Sequence, residues 1–256
     1  MIKWDLAKDL FDYGQWIYGH IFPKHCDISP DGKYFIYAIY KPVNIEGIGY
    51  EGLTAISKPP YFTALGMWPF NSTCFVGGFF ESEHKVNVCS KEMEVIKYKP
   101  PLEIAYGCSK LLELGHVISN SDFHRHENGW NQLEKFQWEN SGFMGTHVWQ
   151  KVGKKYTLTE RLDAREHFNN KLGVDQLDYT VSNRDGTPLF TIKKADWADF
   201  YKNRDLLFAK DGCLYRLNNN DFEKFALEGL NAAKLLVDFN PMVFEEMPPS
   251  AYARKW

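Results

Sequence analysis

Asp27-Ile28-Ser29-Pro30-Asp31-Gly32-Lys33-Tyr34-Phe35-Ile36-Tyr37-Ala38-Ile39-Tyr40 states a strand, a tight turn and a second strand within one short stretch. Pro30 pre-sets φ for a turn, Asp31 can accept hydrogen bonds from the amides that follow it, and Gly32 can take the positive φ that closes a hairpin. Beyond the turn, Phe35, Tyr37 and Ile39 fall on one face of an extended chain, and Tyr34, Ile36, Ala38 and Tyr40 on the other. Both faces are apolar. Such a strand belongs to a sheet covered on each side, as between the blades of a propeller.

Other turns repeat the signal. Asp185-Gly186 separates Thr180–Asn183 from Leu189–Ile192, Asp211-Gly212 separates Leu206–Ala209 from Cys213–Leu217, and Gly153-Lys154 lies between Thr146–Val152 and Lys155–Leu162. Asn71-Ser72-Thr73 turns the chain into a run from Cys74 to Phe80. There Gly77-Gly78 marks a bulge or the close approach of another backbone. Glu81–His84 turns again before Lys85–Val88. From Asp31 to Asn71 is 40 residues, the length of a four-stranded blade, although the later intervals are shorter.

The remaining segments read less sharply. Gln15 to Phe22 is expected as a strand in preference to a helical face of Trp4, Leu6, Leu10 and Phe11. Lys41 to Gly52, with Pro42 and three glycines, reads as a connecting loop, and Pro59-Pro60 as a boundary between two blades. Asp163 to Gly173 predicts a short helical insert. Leu111 to Ser119 is a candidate strand, and Asn120 to Asn131 a polar surface loop. Residues Asp221–Phe239 read as a helix or a loop leading into a strand over Lys234–Phe239. The expected architecture is all-β: one domain over residues 1–256, a propeller of five blades, with six as the alternative, built from four-stranded antiparallel sheets and carrying that short helical insert.

Composition narrows the function. Of 256 residues 44% are apolar and 16% aromatic, which suits sheets with large cross-strand rings. A net charge of -3 supplies no basic field for nucleic acid or a membrane surface. The N-terminal residues carry charges that interrupt any signal-peptide core, and no run of 18 apolar residues occurs, so a cytoplasmic location is expected. Cys26, Cys74, Cys89, Cys108 and Cys213 form no close pair and no Cys-x-x-Cys, which indicates neither a disulfide framework nor a zinc knuckle.

Ile28-Ser29-Pro30-Asp31-Gly32-Lys33 resembles the hairpin of TolB-type and WD-repeat propellers, where Ser-Pro-Asp-Gly joins two middle strands of a blade. Phe208 to Tyr215 resembles the same hairpin without its Ser-Pro, and Ser182 to Gly186 more loosely. Cys26–Gly32 together with Thr54–Tyr61 is similar to a set of uncharacterised bacterial proteins with no assigned activity. The WD pattern of a Gly-His start and a Trp-Asp end is absent, so partner rules of that family do not transfer.

Candidate chemistry is sparse. His124-x-His126 would set two imidazoles on one side of a strand, with His116 or His147 as a third nitrogen for a metal, but a polar loop explains the same residues. Asp27, Glu81, Asp122 and Glu139 near strand ends fit the acids of a glycoside hydrolase on fold analogy. His25 and Cys26 would face opposite ways in a strand, which argues against a catalytic pair, and Cys26 reads as a small buried residue. Of Trp68, Trp130, Trp138, Trp149 and Trp197, most are expected in the core and Trp130 at the surface. Gly-x-Ser-x-Gly, Walker and dinucleotide patterns are absent. The sequence assigns no catalytic, cofactor-binding or metal-ligating residue. Its expectation is a non-catalytic binding or scaffold protein for a protein or small ligand, with a carbohydrate-active hydrolase or lectin as the alternative.

Overall fold

The structure, a computed structural model, describes residues 1–71, 76–89, 95–96, 101–107, 125, 128–135, 137–139, 142–163, 177–202 and 204–256. It is all-β, and the chain divides into two compact units, Met1–His124 with Val243–Trp256, and Arg125–Met242.

The first unit opens with a hairpin of β1 (Ile2–Asp5) and β2 (Leu10–Tyr13). A six-stranded sheet follows, made of β3 (His20–Ile21), β4 (Asp27–Ile28), β5 (Phe35–Ile45), β6 (Ile48–Ser57), β7 (Gly66–Phe70) and, later in the chain, β10 (Val95–Ile96). β8 (Gly78–Ser82) and β9 (Lys85–Val88) form the next sheet with β11 (Glu103–Tyr106), which runs parallel to β9. Tyr34, Ile36, Ile56 and Trp68 of the first sheet region pack with Phe80, Val86 and Val88 of the second in one core.

The second unit holds a five-stranded sheet of β12 (Trp130–Glu134), β15 (Thr146–Val152), β16 (Tyr156–Asp163), β17 (Leu177–Asn183) and β18 (Pro188–Ala195), with β13 (Gln137–Glu139) and β14 (Gly142–Met144) as a separate pair. A four-stranded sheet follows, built from β19 (Trp197–Tyr201), β20 (Asp205–Lys210), β21 (Cys213–Leu217) and β22 (Lys234–Asp238), with helix α1 (Phe222–Glu228) between the last two strands. Its apolar side, Phe222 and Phe225, closes a core shared by both sheets, including Trp149, Leu158, Tyr179, Phe208 and Leu217.

Within each unit, then, two successive sheets pack through a common core in the manner of propeller blades. The described strands give four sheets of three or more strands, not the five or six expected. The overcount has a clear origin. The turns at Gly153-Lys154 and Asp185-Gly186 both lie inside the five-stranded sheet. Sheet sizes of six, three, five and four likewise depart from uniform four-stranded blades.

The opening hairpin is as its sequence dictates. Asp27 pairs with Ile36 and Ile28 with Phe35. Ser29 Oγ accepts from the Tyr34 amide at 2.9 Å and donates to Asp31 Oδ1 at 2.7 Å, and Gly32 takes φ +69°. The Asp-Gly turns at 185 and 211 also join strand pairs as expected.

Four expectations fail. Residues 41–52 are not a loop: β5 and β6 continue to an Ile45–Ile48 pair, because Glu46 and Gly47 both take positive φ and make the tight turn that suits a twisted ribbon. Gln15–Phe22 carries only the two-residue β3, and the helical face of Trp4, Leu6, Leu10 and Phe11 is instead the β1–β2 hairpin. Pro59-Pro60 does not separate blades, since β7 pairs with β6 across it. Finally, Val76 and Gly77, expected within a strand, precede β8, which begins at Gly78; Cys74 and Phe75 lie outside the described residues. Leu111–Ser119 and the helical insert at Asp163–Gly173, apart from its first residue, lie outside the described residues.

Candidate functional site

The four-stranded sheet of the second unit ends in a cavity of about 570 Å³ lined by Tyr201, Lys202, Arg204, Asp205, Asn218, Asn219 and Asn220. Its walls follow from strand register. Tyr201 stands opposite Asp205, and Leu207 opposite Arg216. Cross-strand partners and residues two apart share a face, so Tyr201, Asp205 and Arg216 emerge together. Arg216 Nη1 donates to Asp205 Oδ2 at 2.9 Å, and the Arg216 guanidinium lies 5.0 Å from the centre of the Tyr201 ring. This guanidinium is thereby fixed beside two of the lining residues, Tyr201 and Asp205.

The rim is made by two connections. The β19–β20 turn carries Lys202, at φ +50°, and Arg204, whose amide donates to the Tyr201 carbonyl at 3.0 Å. Lys202 Nζ sits 5.1 Å from the Tyr201 ring centre. After β21, Asn218 Oδ1 accepts from the Asn220 amide at 2.9 Å, and the Asp221 amide donates to the Asn218 carbonyl, also at 2.9 Å. The three asparagines are thereby held in a compact turn that leads into α1. Asn218 and Asn220 are exposed and Asn219 half-buried. Among the described residues, neither Lys202 nor Arg204 has an ion pair, while nearby Asp199 is committed to Lys151 at 2.7 Å. Two lining cations, Lys202 and Arg204, therefore stand with one lining carboxylate, Asp205, which Arg216 already engages.

The residues singled out from sequence are placed elsewhere. Asp27 Oδ2 accepts from the Phe80 amide at 2.7 Å and Oδ1 from the Ile28 amide at 2.7 Å, so this acid ties β4 to β8. Glu81 accepts from Asn87 Nδ2 at 2.6 Å and pairs with Lys85 at 3.4 Å. Both carboxylates bind within their own unit's sheets. Asp122, His116, His124 and His126 lie outside the described residues, as does the side chain of Glu139. His147 Nε2 accepts from the Trp149 indole at 2.8 Å. Gly77 confirms the close approach expected at that pair, since a Cβ there would stand 1.9 Å from the His25 carbonyl oxygen. Cys26 is half-buried, donates to the Phe22 carbonyl at 3.2 Å, and has its thiol pushed up to about 12 by burial.

Among the tryptophans, Trp68 and Trp149 are in the core as expected, and the side chain of Trp138 is not described. The expectation for Trp130 is overturned. It is 5% exposed, packed in the core of the second unit, because β12 pairs with β15 and turns its first residue inward. Of the four singled-out tryptophans whose side chains are described, Trp197 is the exposed one, at 39%: on β19 the alternation sends Ala198 and Phe200 into the core and Trp197 out.

Two buried charges were not legible in the sequence. Lys58 is 7% exposed, with its ammonium 4.4 Å from the Tyr252 ring, 5.8 Å from the Tyr34 ring and 3.5 Å from the Tyr252 carbonyl. Burial lowers its pKa, and no carboxylate pairs with it among the described residues. Glu160, 5% exposed, accepts from Arg125 at 2.6 Å and from the Tyr179 hydroxyl at 2.8 Å. Burial, then the Glu160 charge, raises the Tyr179 pKa well above its ordinary value.

No protein-family model matches the chain, and no match is found among curated proteins or solved structures. Among the described residues, no helix is long and apolar enough to cross a membrane.

Proposed function

We propose that the chain is a non-catalytic binding protein whose second unit takes a small polar ligand at the end of the β19–β22 sheet. The observation that carries this reading is the cavity of about 570 Å³ walled by Tyr201, Lys202, Arg204, Asp205 and Asn218–Asn220. Its volume lies within the range of small-molecule sites. Its walls belong to two short connections anchored by a paired strand end, which is how loops on a rigid sheet present recognition groups. Three amides, and two cations without an ion pair among the described residues, offer donors and acceptors, and the lining residues include no nucleophile–base pair.

The reading predicts a ligand-induced rise in melting temperature in a screen of separate panels of sugars, sugar phosphates, nucleotides, short peptides and divalent metals. A ligand at 100 times its dissociation constant adds about 2.7 kcal/mol. Asn219→Trp, which puts an indole into the cavity beside the other lining residues, is expected to abolish that rise while leaving the unliganded melting temperature within a few degrees. A rise that survives Asn219→Trp, or no rise with any panel, overturns the assignment of this cavity.

A further inference from the structure

We infer that the ligand of this cavity carries a phosphate or carboxylate group beside hydroxyls, as in a phosphorylated or acidic sugar; this rests on the binding reading given above.

Charge is the first ground. Lys202 and Arg204 flank one turn, both are exposed, and neither has an ion pair among the described residues. The lining carboxylate, Asp205, already holds Arg216 at 2.9 Å. An arriving anion therefore meets two cations that no carboxylate engages among the described residues, beside a carboxylate that is already paired. Charge-assisted hydrogen bonds from Arg and Lys to phosphate or carboxylate are the stronger class of such contacts.

The aromatic wall is the second ground, and it discriminates between sugar classes. Neutral sugars are commonly held against an open aromatic ring. Here the one ring of the lining, Tyr201, has the Arg216 guanidinium 5.0 Å and the Lys202 ammonium 5.1 Å from its centre. The ring serves the cations, by cation–π attraction, and is not left as a platform.

The asparagines supply the third ground. Asn218 Oδ1 is spent on the Asn220 amide, which leaves its amide N–H₂ as a donor. The side chains of Asn219 and Asn220 can donate and accept. Hydroxyls adjoining the anionic group match this set, whereas a bare inorganic anion leaves it unused. Glucose 6-phosphate is thus expected to bind more tightly than inorganic phosphate.

The test is titration of the full chain, labelled with nitrogen-15, with inorganic phosphate, glucose 6-phosphate, glucuronate and glucose, followed by amide shifts. The expected result is perturbation at Tyr201, Lys202, Arg204 and Asn218–Asn220 by the three anions. Lys202→Gln and Arg204→Gln should each weaken glucose 6-phosphate binding about tenfold, the loss of one charge-assisted contact. Both positions are exposed, so the variants keep the fold. Glucose binding as tightly as glucose 6-phosphate at these same amides overturns the anionic class and leaves the cavity reading standing. Anion-induced shifts confined to other parts of the chain overturn the cavity itself. No shift with any of the three anions overturns the anionic class.

Discussion

Asp31 and Lys58 are two charged residues that the fold treats in opposite ways. Burial alone would raise the Asp31 carboxyl, but the Lys33 side chain, the Ser29 hydroxyl and the Lys33 amide together hold it down at about 2. A depressed carboxyl stabilises the fold above its unfolded pKa, near 4, and that contribution is lost as pH falls through the folded value. With solvent screening at the Lys33 end, Asp31→Ala is expected to cost about 1 kcal/mol at neutral pH and almost nothing near pH 2, as read by urea melts at both. Lys58 has the reverse sign. Its lowered pKa means that the folded state resists carrying the charge, so the unfolded chain binds more protons between the lowered value and 10.5. Stability therefore rises with pH across that window. Lys58→Met should melt higher than the parent at pH 7, and the gap should narrow as pH approaches 10.5. A gap that does not change with pH would assign the effect to packing. Glu160 is a third case, a buried carboxylate satisfied by Arg125 and Tyr179. Arg125→Met strands its charge and is expected to cost about 3 kcal/mol, whereas Arg125→Met with Glu160→Met should recover most of that loss.

At the scale of elements, turn chemistry was legible wherever it is local. Asp31-Gly32, Asp185-Gly186 and Asp211-Gly212 all join paired strands, because an αL position and a side-chain acceptor are properties of two or three residues. The Glu46-Gly47 turn was missed, since Pro42 and three glycines between residues 41 and 52 look like a loop. The ribbon persists because Val43 faces Tyr50 and Ile45 faces Ile48 across it. Glycines in open turns and glycines in crowded strands should then differ measurably. Gly47 has φ +85° and open space around it, so Gly47→Ala carries only backbone strain of about 1 kcal/mol. Gly77 combines φ +78° with the His25 carbonyl 1.9 Å from any Cβ, and Gly77→Ala is expected to cost about 2–4 kcal/mol. Equal denaturation midpoints for the two variants would refute the close contact between the His25 turn and the start of β8. The cavity residues were invisible for a different reason. Lys202, Arg204 and Asn218–Asn220 read as two ordinary polar connections, and only the β20–β21 register brings Arg216 beside Asp205 and Tyr201.

On the scale of the whole molecule, the chain leaves the first unit after residue 124 and returns to it at residue 243. The returning segment is bound by more than chain continuity. Met247 accepts from Gln15 at 3.1 Å, the Tyr252 ring caps Lys58, and Trp256 packs against the core containing Tyr34, Ile36, Ile56 and Trp68. Removing residues 243–256 should therefore lower hydrogen-exchange protection over residues 35–57 and 78–88. Protection over residues 146–163 and 205–217, whose core lies wholly within the second unit, should be unchanged. Loss of protection in both units alike would show that they unfold together. The sequence by itself determined the all-β class, the positions of the Asp-Gly turns and the alternation of β5, because each depends on neighbours a few residues apart. Tertiary structure decided how many turns share one sheet, that Trp130 is inside and Trp197 outside, that the C-terminal segment covers Lys58, and that two polar turns form one cavity. Those outcomes depend on which strands pair, and pairing is settled by apolar burial among residues far apart in the chain, a sum that no local pattern contains.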